Sequence, residues 1–326
     1  MASIRRILVA VKDPSARRQA AVEKAAQLAT GLGVPLELFH ALSEPLYVDA
    51  ALMAGKPLKQ LENEWRGRNL ERLEKLAEGL RADGLAVSTA CEWDHPAFEA
   101  VIRRAQRSRS DLIVAERHAT RHLAPWLLRF NDWELLRRSP VPVLLVKSGA
   151  AWDRPAVLAA IDPAHAYAKP AKLDAAILGL GGAVAKALGG KLHAVHAFVP
   201  TLLDVRNLDL DDPNLSATIE ARAAAQARAA FDKALAGSDV PAPRRHLLAR
   251  HPVDAIPEAA KQVGAGLVVM GAVSRSGLKR LIVGDTAEQI LDSLARDVLV
   301  VKPAHFKARV PSRRRGVQMI ASPSIV

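Results

Sequence analysis

The sequence predicts an α/β chain of two tandem, doubly wound parallel-sheet domains, and three observations point there. The first is internal repetition. "RILVAVKDPSA" (Arg6–Ala16) answers to "AVLAAIDPAHA" (Ala156–Ala166), and "VPLELFHA" (Val34–Ala41) to "GKLHAVHA" (Gly190–Ala197). "DHPAFEAVIRRA" (Asp94–Ala105) answers to "RHPVDAIPEAAK" (Arg250–Lys261), and "SDLIVAE" (Ser110–Glu116) to "AGLVVMG" (Ala265–Gly271). "VPVLLVK" (Val141–Lys147) answers to "RDVLVVK" (Arg296–Lys302). Partners stay about 150 residues apart, which one long domain would not produce. The second observation is that short apolar runs alternate with longer helical patterns, as in a parallel sheet buried on both faces. The third is size: 326 residues, 50% of them hydrophobic, suffice for two cores.

Each half reads β-α-β-α-β-α-β-α-β. The first helix of the first half, about Ala16–Thr30, stops at Gly31 and Gly33, and its counterpart, about Leu173–Leu188, stops at Gly189–Gly190. A long helix near Leu58–Leu80 sets Leu61, Trp65, Leu73, Leu76 and Leu80 at helical spacing, which predicts a core stripe. Its counterpart, about Ser216–Ala236, turns Ile219, Phe231 and Leu235 inward. His95-Pro96 and His251-Pro252 read as helix openings. The boundary falls in "SGAAWDRP" (Ser148–Pro155), giving domains 1–150 and 151–306. Residues 307–326 contain "SRRRG" without an apolar period and read as a disordered basic tail.

Basic residues outnumber acidic ones, for a formal net charge of +12. That charge fits a solvated basic surface first, and otherwise an anionic partner such as nucleotide, nucleic acid or membrane lipid. A lone cysteine, Cys91, excludes an internal disulfide, and its strand setting predicts packing. The N-terminal apolar run is too short for a signal peptide, and no stretch reaches the roughly 20 apolar residues of a transmembrane helix. A cytoplasmic location is expected. The ten histidines form no His-Glu-x-x-His or Cys-rich set, so no metal is expected. No G-x-S-x-G elbow or paired-carboxylate pattern appears, so no catalytic residue is assigned. "GLGGAVAKALGG" (Gly179–Gly190) mimics a dinucleotide fingerprint, but it lies within a helical pattern, where its glycines permit close packing. Of the strand histidines, His196 is the best placed to border a crevice, against the plainer reading of a satisfied buried side chain.

In a doubly wound sheet, ligands bind beyond the carboxyl ends of the strands where strand order reverses. Two features of the second half converge there. Asp162 follows its first strand, where a carboxylate can meet a ribose or base. "GAVSRSGLKRLIVGDTAE" (Gly271–Glu288) follows its fourth strand. Gly271, Gly277 and Gly284 let backbone N–H groups approach phosphate oxygens, and a helix starting near Asp285 offers its positive end. Arg275, Lys279 and Arg280 add cationic charge.

This loop resembles the universal stress protein signature of Gly, two residues, Gly, nine residues, then Gly with Ser or Thr. The register falls on Gly271, Ser274 and Gly284-Asp285. "GDTAEQILDSLARDVLVVKP" (Gly284–Pro303) and "NDWELLRRSPVPVLLVK" (Asn131–Lys147) resemble the tandem, E-type members of that family. The resemblance implies two Rossmann-like domains and a regulatory or protective role, including survival of DNA damage or starvation. It also implies a pseudo-dimer within one chain, because single-domain members resemble dimers joined through the last strand.

The departures bear on the ligand, for which ATP or another adenine nucleotide is the candidate. Ser274 replaces the second glycine. Asp285 replaces the hydroxyl residue that would donate to a phosphate, and Thr286 offers a hydroxyl one residue later. One like-charge pair about 4 Å apart costs roughly 4 kcal/mol at an effective dielectric near 20. Asp is also a good helix N-cap, which explains the residue without a ligand. In the first half, Glu116 stands where Gly271 stands, Arg129 takes the place of Gly284, and only Asp13 remains. The sequence thus predicts a ligand-binding stress-response protein without turnover. The alternatives are a weak ATPase or self-phosphorylating protein, and a binder of nucleic acid or of an anionic or apolar lipid-like ligand. Leu202, Leu203 and Leu208 would line an apolar pocket.

Overall fold

A computed structural model gives the structure of the chain. It describes residues 4–44, 46–48, 58–117, 125–163, 172–200, 214–271, 285–304, 306–308 and 310–321. The chain divides into two compact units. One runs up to Trp152 and takes in the C-terminal segment, and the other spans Asp153–Ala304.

The N-terminal unit runs β1 (Ile7–Ala10), α1 (Ala20–Leu32), β2 (Leu36–Leu42), β3 (Leu46–Val48), α2 (Leu58–Ala82), β4 (Val87–Trp93), α3 (Ala97–Arg107), β5 (Leu112–Glu116), α4 (Pro125–Arg138) and β6 (Val143–Val146). Its main strands lie in the order β4-β2-β1-β5-β6, all parallel. Strand order reverses at β1, so the crevice lies between β1 and β5. Ile7, Leu8, Leu38, Phe39, Leu112, Ile113 and Val114 are fully buried, as both-face coverage requires. Helix α1 starts four residues later than expected. Asp13 accepts hydrogen bonds from the backbone N–H and hydroxyl of Ser15, and Gln19 donates to the Asp13 and Ala16 carbonyls, so residues 13–19 form a loop. The helix ends at Gly33, whose φ of 66° suits a residue without a Cβ.

The C-terminal unit repeats the plan: β7 (Ala156–Ala160), α5 (Leu173–Ala187), β8 (Lys191–Ala197), α6 (Leu215–Leu235), β9 (Arg245–Leu248), α7 (Pro252–Gln262), β10 (Ala265–Gly271), α8 (Asp285–Ser293) and β11 (Asp297–Val301). Its order, β11-β10-β7-β8-β9, is the same arrangement, again parallel. Gly181 of α5 shows why glycine stands inside this helix. A Cβ there would come within 3.2 Å of Leu192 and 3.5 Å of Val269, so the small residue lets the helix lie close to the sheet.

Two expectations are corrected. Trp65 is 43% exposed, its ring tilted against Trp93 at 5.9 Å. Burial in α2 is carried by Asn69, Leu73 and Ala77, because the first turns of this helix face solvent on most sides. The C-terminal segment, expected to be a disordered tail, is packed on the N-terminal unit. Phe306 is buried, Arg315 pairs with Glu99, and β12 (Met319–Ala321) pairs with β3. Specific ion pairs and backbone hydrogen bonds hold it, and neither leaves an apolar period in the sequence. Cys91 is buried in β4, and burial pushes its thiol up to about 12, which suits a packing role.

Candidate functional site

The C-terminal crevice is positioned by β7 and β10, which pair with Ala160 opposite Met270. Asp162 and Gly271 therefore leave the carboxyl ends of two adjacent strands. The Asp162 side chain is 46% exposed, an open position for a carboxylate. Its backbone N–H donates to the Asp174 carboxylate at 3.2 Å, which ties the loop after β7 to the first turn of α5. Asp174 gave no signal in the sequence beyond being an acidic residue at a helix start.

Gly271 is the last residue of β10 and packs against α5. A Cβ there would stand 2.8 Å from Leu173 Cδ2 and 3.3 Å from Ile177 Cδ1. Its φ lies outside the left-handed region. A Cβ here would force the Leu173 side chain to shift. Ser274, Gly277 and Gly284 lie outside the described residues, as do Arg275, Lys279 and Arg280 and the pocket residues Leu202, Leu203 and Leu208. Asp285 is the first helical residue of α8 and Thr286 the second. Their side chains lie outside what the structure describes. An acidic residue at this point complements the positive helix end. Sequence reasoning missed Lys302, which follows Val301, the register partner of Gly271. Lys302 is 8% exposed, and burial lowers its ammonium to about 8.

His196 combines its two readings, being buried and standing beside the crevice residue Asp162. It is buried, with Nδ1 3.2 Å from the Ile161 carbonyl, and its ring lies 6.0 Å from Phe231 and 6.3 Å from Phe198. The Asp162 carboxylate stands 3.9 Å from Nδ1. His40 makes the same contact in the other unit, with Nδ1 2.8 Å from the Val11 carbonyl. In both units this histidine tethers the second strand to the end of the first.

The N-terminal crevice is built differently. Glu116 pairs in register with Val146 as Gly271 does with Val301, so the two residues hold equivalent places. Helix α4 already begins at Pro125, which places Arg129 inside the helix. Asp13 is engaged by Ser15, whose hydrogen bond is the main cause holding its carboxyl below the usual range. Among the described residues no three His, Cys, Asp or Glu side chains could hold a metal, and no helix is long and apolar enough to cross a membrane.

Comparison with known proteins matches this duplicated arrangement. The model of the universal stress protein family fits residues 3–147 and again 156–302. Universal stress protein E of Escherichia coli K12 is 25% identical over 316 residues, covering 95% of this chain and 98% of that protein. Its Photorhabdus laumondii counterpart is 23% identical over 330 residues, covering 96% and 100%. Among solved structures, a functionally unknown protein from Pseudomonas aeruginosa PAO1 superposes with a TM-score of 0.71 at 28% identity, covering 94% of this chain and 95% of that one. A universal stress protein from Archaeoglobus fulgidus shares the fold, with a TM-score of 0.61 at 18% identity over 91% and 98%. Two family domains in tandem, each doubly wound, make the chain a member of the universal stress protein family of stress-response proteins.

Proposed function

We propose that the C-terminal domain binds an adenine nucleotide weakly and without turnover, and that the protein is regulatory or protective. The observation that supports this is the adjacency of Asp162 and Gly271 at the carboxyl ends of paired strands, with an exposed carboxylate on one side. The start of α8 adds a positive helix end. The N-terminal domain is structural in this reading.

Titration calorimetry of the full chain with ATP, ADP and AMP tests the reading. Binding of about 4 to 7 kcal/mol, a Kd between roughly 10 µM and 1 mM, is expected. Asp162→Asn should weaken all three nucleotides severalfold, because Asp162 is assigned to the ribose end that they share. Nucleotide affinity unchanged in Asp162→Asn, or no binding at all, rejects it. Steady phosphate release from Mg-ATP by the purified protein would favour the ATPase alternative instead. A nucleic-acid role through the tail is less favoured, because Arg314 and Arg315 already pair with Glu92 and Glu99 of the same chain.

A further inference from the structure

Asp94, Glu99 and Arg103 form a buried notch where β4 meets α3. Their side chains are 0%, 1% and 4% exposed. Arg103 donates to Asp94 Oδ2 at 2.6 Å and to Glu99 Oε2 at 3.1 Å. Two carboxylates and one guanidinium leave one negative charge uncompensated, and a buried charge of that kind demands a partner. The partner comes from more than 200 residues further along the chain. Arg315 spans Glu99 with its fork, Nη2 to Oε1 at 2.9 Å and Nε to Oε2 at 3.1 Å.

The backbone around Arg315 is recognised as well. Asp94 Oδ1 accepts two successive N–H groups, from Arg315 at 2.8 Å and Gly316 at 3.2 Å. Turning two consecutive amides onto one oxygen places Gly316 at φ 74°, a region that favours glycine. His95 Nδ1 lies 2.9 Å from the Gly316 carbonyl, and Arg103 Nη1 donates to the Pro311 carbonyl at 3.0 Å. Most of these contacts go to main-chain atoms and tolerate any sequence. Only the guanidinium and the glycine are specified. The Arg315 side chain is itself 50% exposed above buried acceptors, so it closes the notch from the solvent side.

We propose that this notch is a recognition site for an arginyl-glycyl segment, filled in this chain by its own Arg315–Gly316. The C-terminal segment is then a displaceable ligand of the N-terminal domain, and its departure bares both the acidic notch and the edge of β3, which β12 covers. A bidentate guanidinium–carboxylate pair supplies the specificity. The inference is independent of the nucleotide reading.

Hydrogen–deuterium exchange of the full-length protein reads segment and domain separately. Tryptophan fluorescence adds a second report, because all five tryptophans precede Asp153. In Arg315→Ala, residues 310–321 should exchange about tenfold faster or more, while β1, β2 and β4 stay protected. Arg315→Lys keeps the charge without the fork and should fall between. Gly316→Ala keeps the guanidinium but disfavours the turn, and should also loosen the segment. A synthetic peptide of Ser312–Gln318 should bind full-length Arg315→Ala at least about tenfold more tightly than the parent, whose notch is filled. The same peptide with alanine at the Arg315 position should not bind. Three results overturn the proposal: unchanged exchange in Arg315→Ala, loss of protection in the strands together with the segment, or no peptide binding to the loosened variant.

Discussion

Gly271 and Leu173 approach so closely that a methyl group on the glycine would lie 2.8 Å from Leu173 Cδ2. The contact joins the end of β10 to the first turn of α5, the helix whose Asp174 holds the loop of Asp162. One glycine therefore sets how the two sides of the crevice meet. Part of its value is packing, and that part exists without any nucleotide.

Gly271→Ala should accordingly cost about 1–3 kcal/mol of stability in the C-terminal domain, as overpacking of a filled site does. Urea unfolding followed by circular dichroism measures it. Adding Leu173→Ala should recover part of the loss, a coupling expected only of residues in contact. An alanine variant as stable as the parent, or strictly additive losses, would show that the side chains step aside freely.

Much of this architecture was legible because a buried parallel strand leaves a short apolar run, and "ILVA" and "LIVAE" each occur where β1 and β5 stand. Repetition doubled the signal and located the second crevice, including the exposed Asp162. Gly271 was legible as a glycine, but its packing reason was not, since Leu173 lies almost a hundred residues earlier in the chain. The docked C-terminal segment was illegible for a related cause. Its partners Asp94 and Glu99 are over 200 residues away, and contacts through main-chain atoms carry no sequence period. Trp65 misled because helical spacing shows which residues share a face without showing how far the sheet extends beneath it.

His193 and His246 should make the C-terminal domain sensitive to mild acid. Their rings stack with 9° between planes, and Nδ1 of one lies 3.1 Å from Nε2 of the other. Burial holds both below the ordinary 6.5, and for His193 the neighbouring His246, Arg244 and Lys191 push the same way. The unfolded chain therefore takes up protons first. Stability is full above about pH 6.5 and falls as pH drops through the lowered values, by up to about 1.4 kcal/mol per pH unit for each proton. Hydrogen exchange of the β8 and β9 amides at pH 7.5 and 5.0 reads this domain without the N-terminal His40, which is also held low by burial. His246→Gln should flatten the slope. Equal protection of the parent at both pH values would remove the basis for the expectation.

Asp285 should limit whatever nucleotide affinity the C-terminal domain has. It is the first residue of α8, at the place where the signature that this loop resembles has Ser or Thr. A carboxylate cannot donate, and its charge opposes the ligand's. Asp285→Ser restores a donor while keeping a residue suited to a helix start. Titration calorimetry with ATP should show tighter binding by the variant, on the order of tenfold, or about 1.4 kcal/mol. Glu116→Gly in the N-terminal domain should change nothing, because α4 already runs through the position of Arg129 where a phosphate loop would need to open. If Asp285→Ser binds no better than the parent, or the parent binds at nanomolar concentration, the carboxylate does not face the phosphates. In the second case the loop after β10 is a working nucleotide site and not one that has lost most of its affinity.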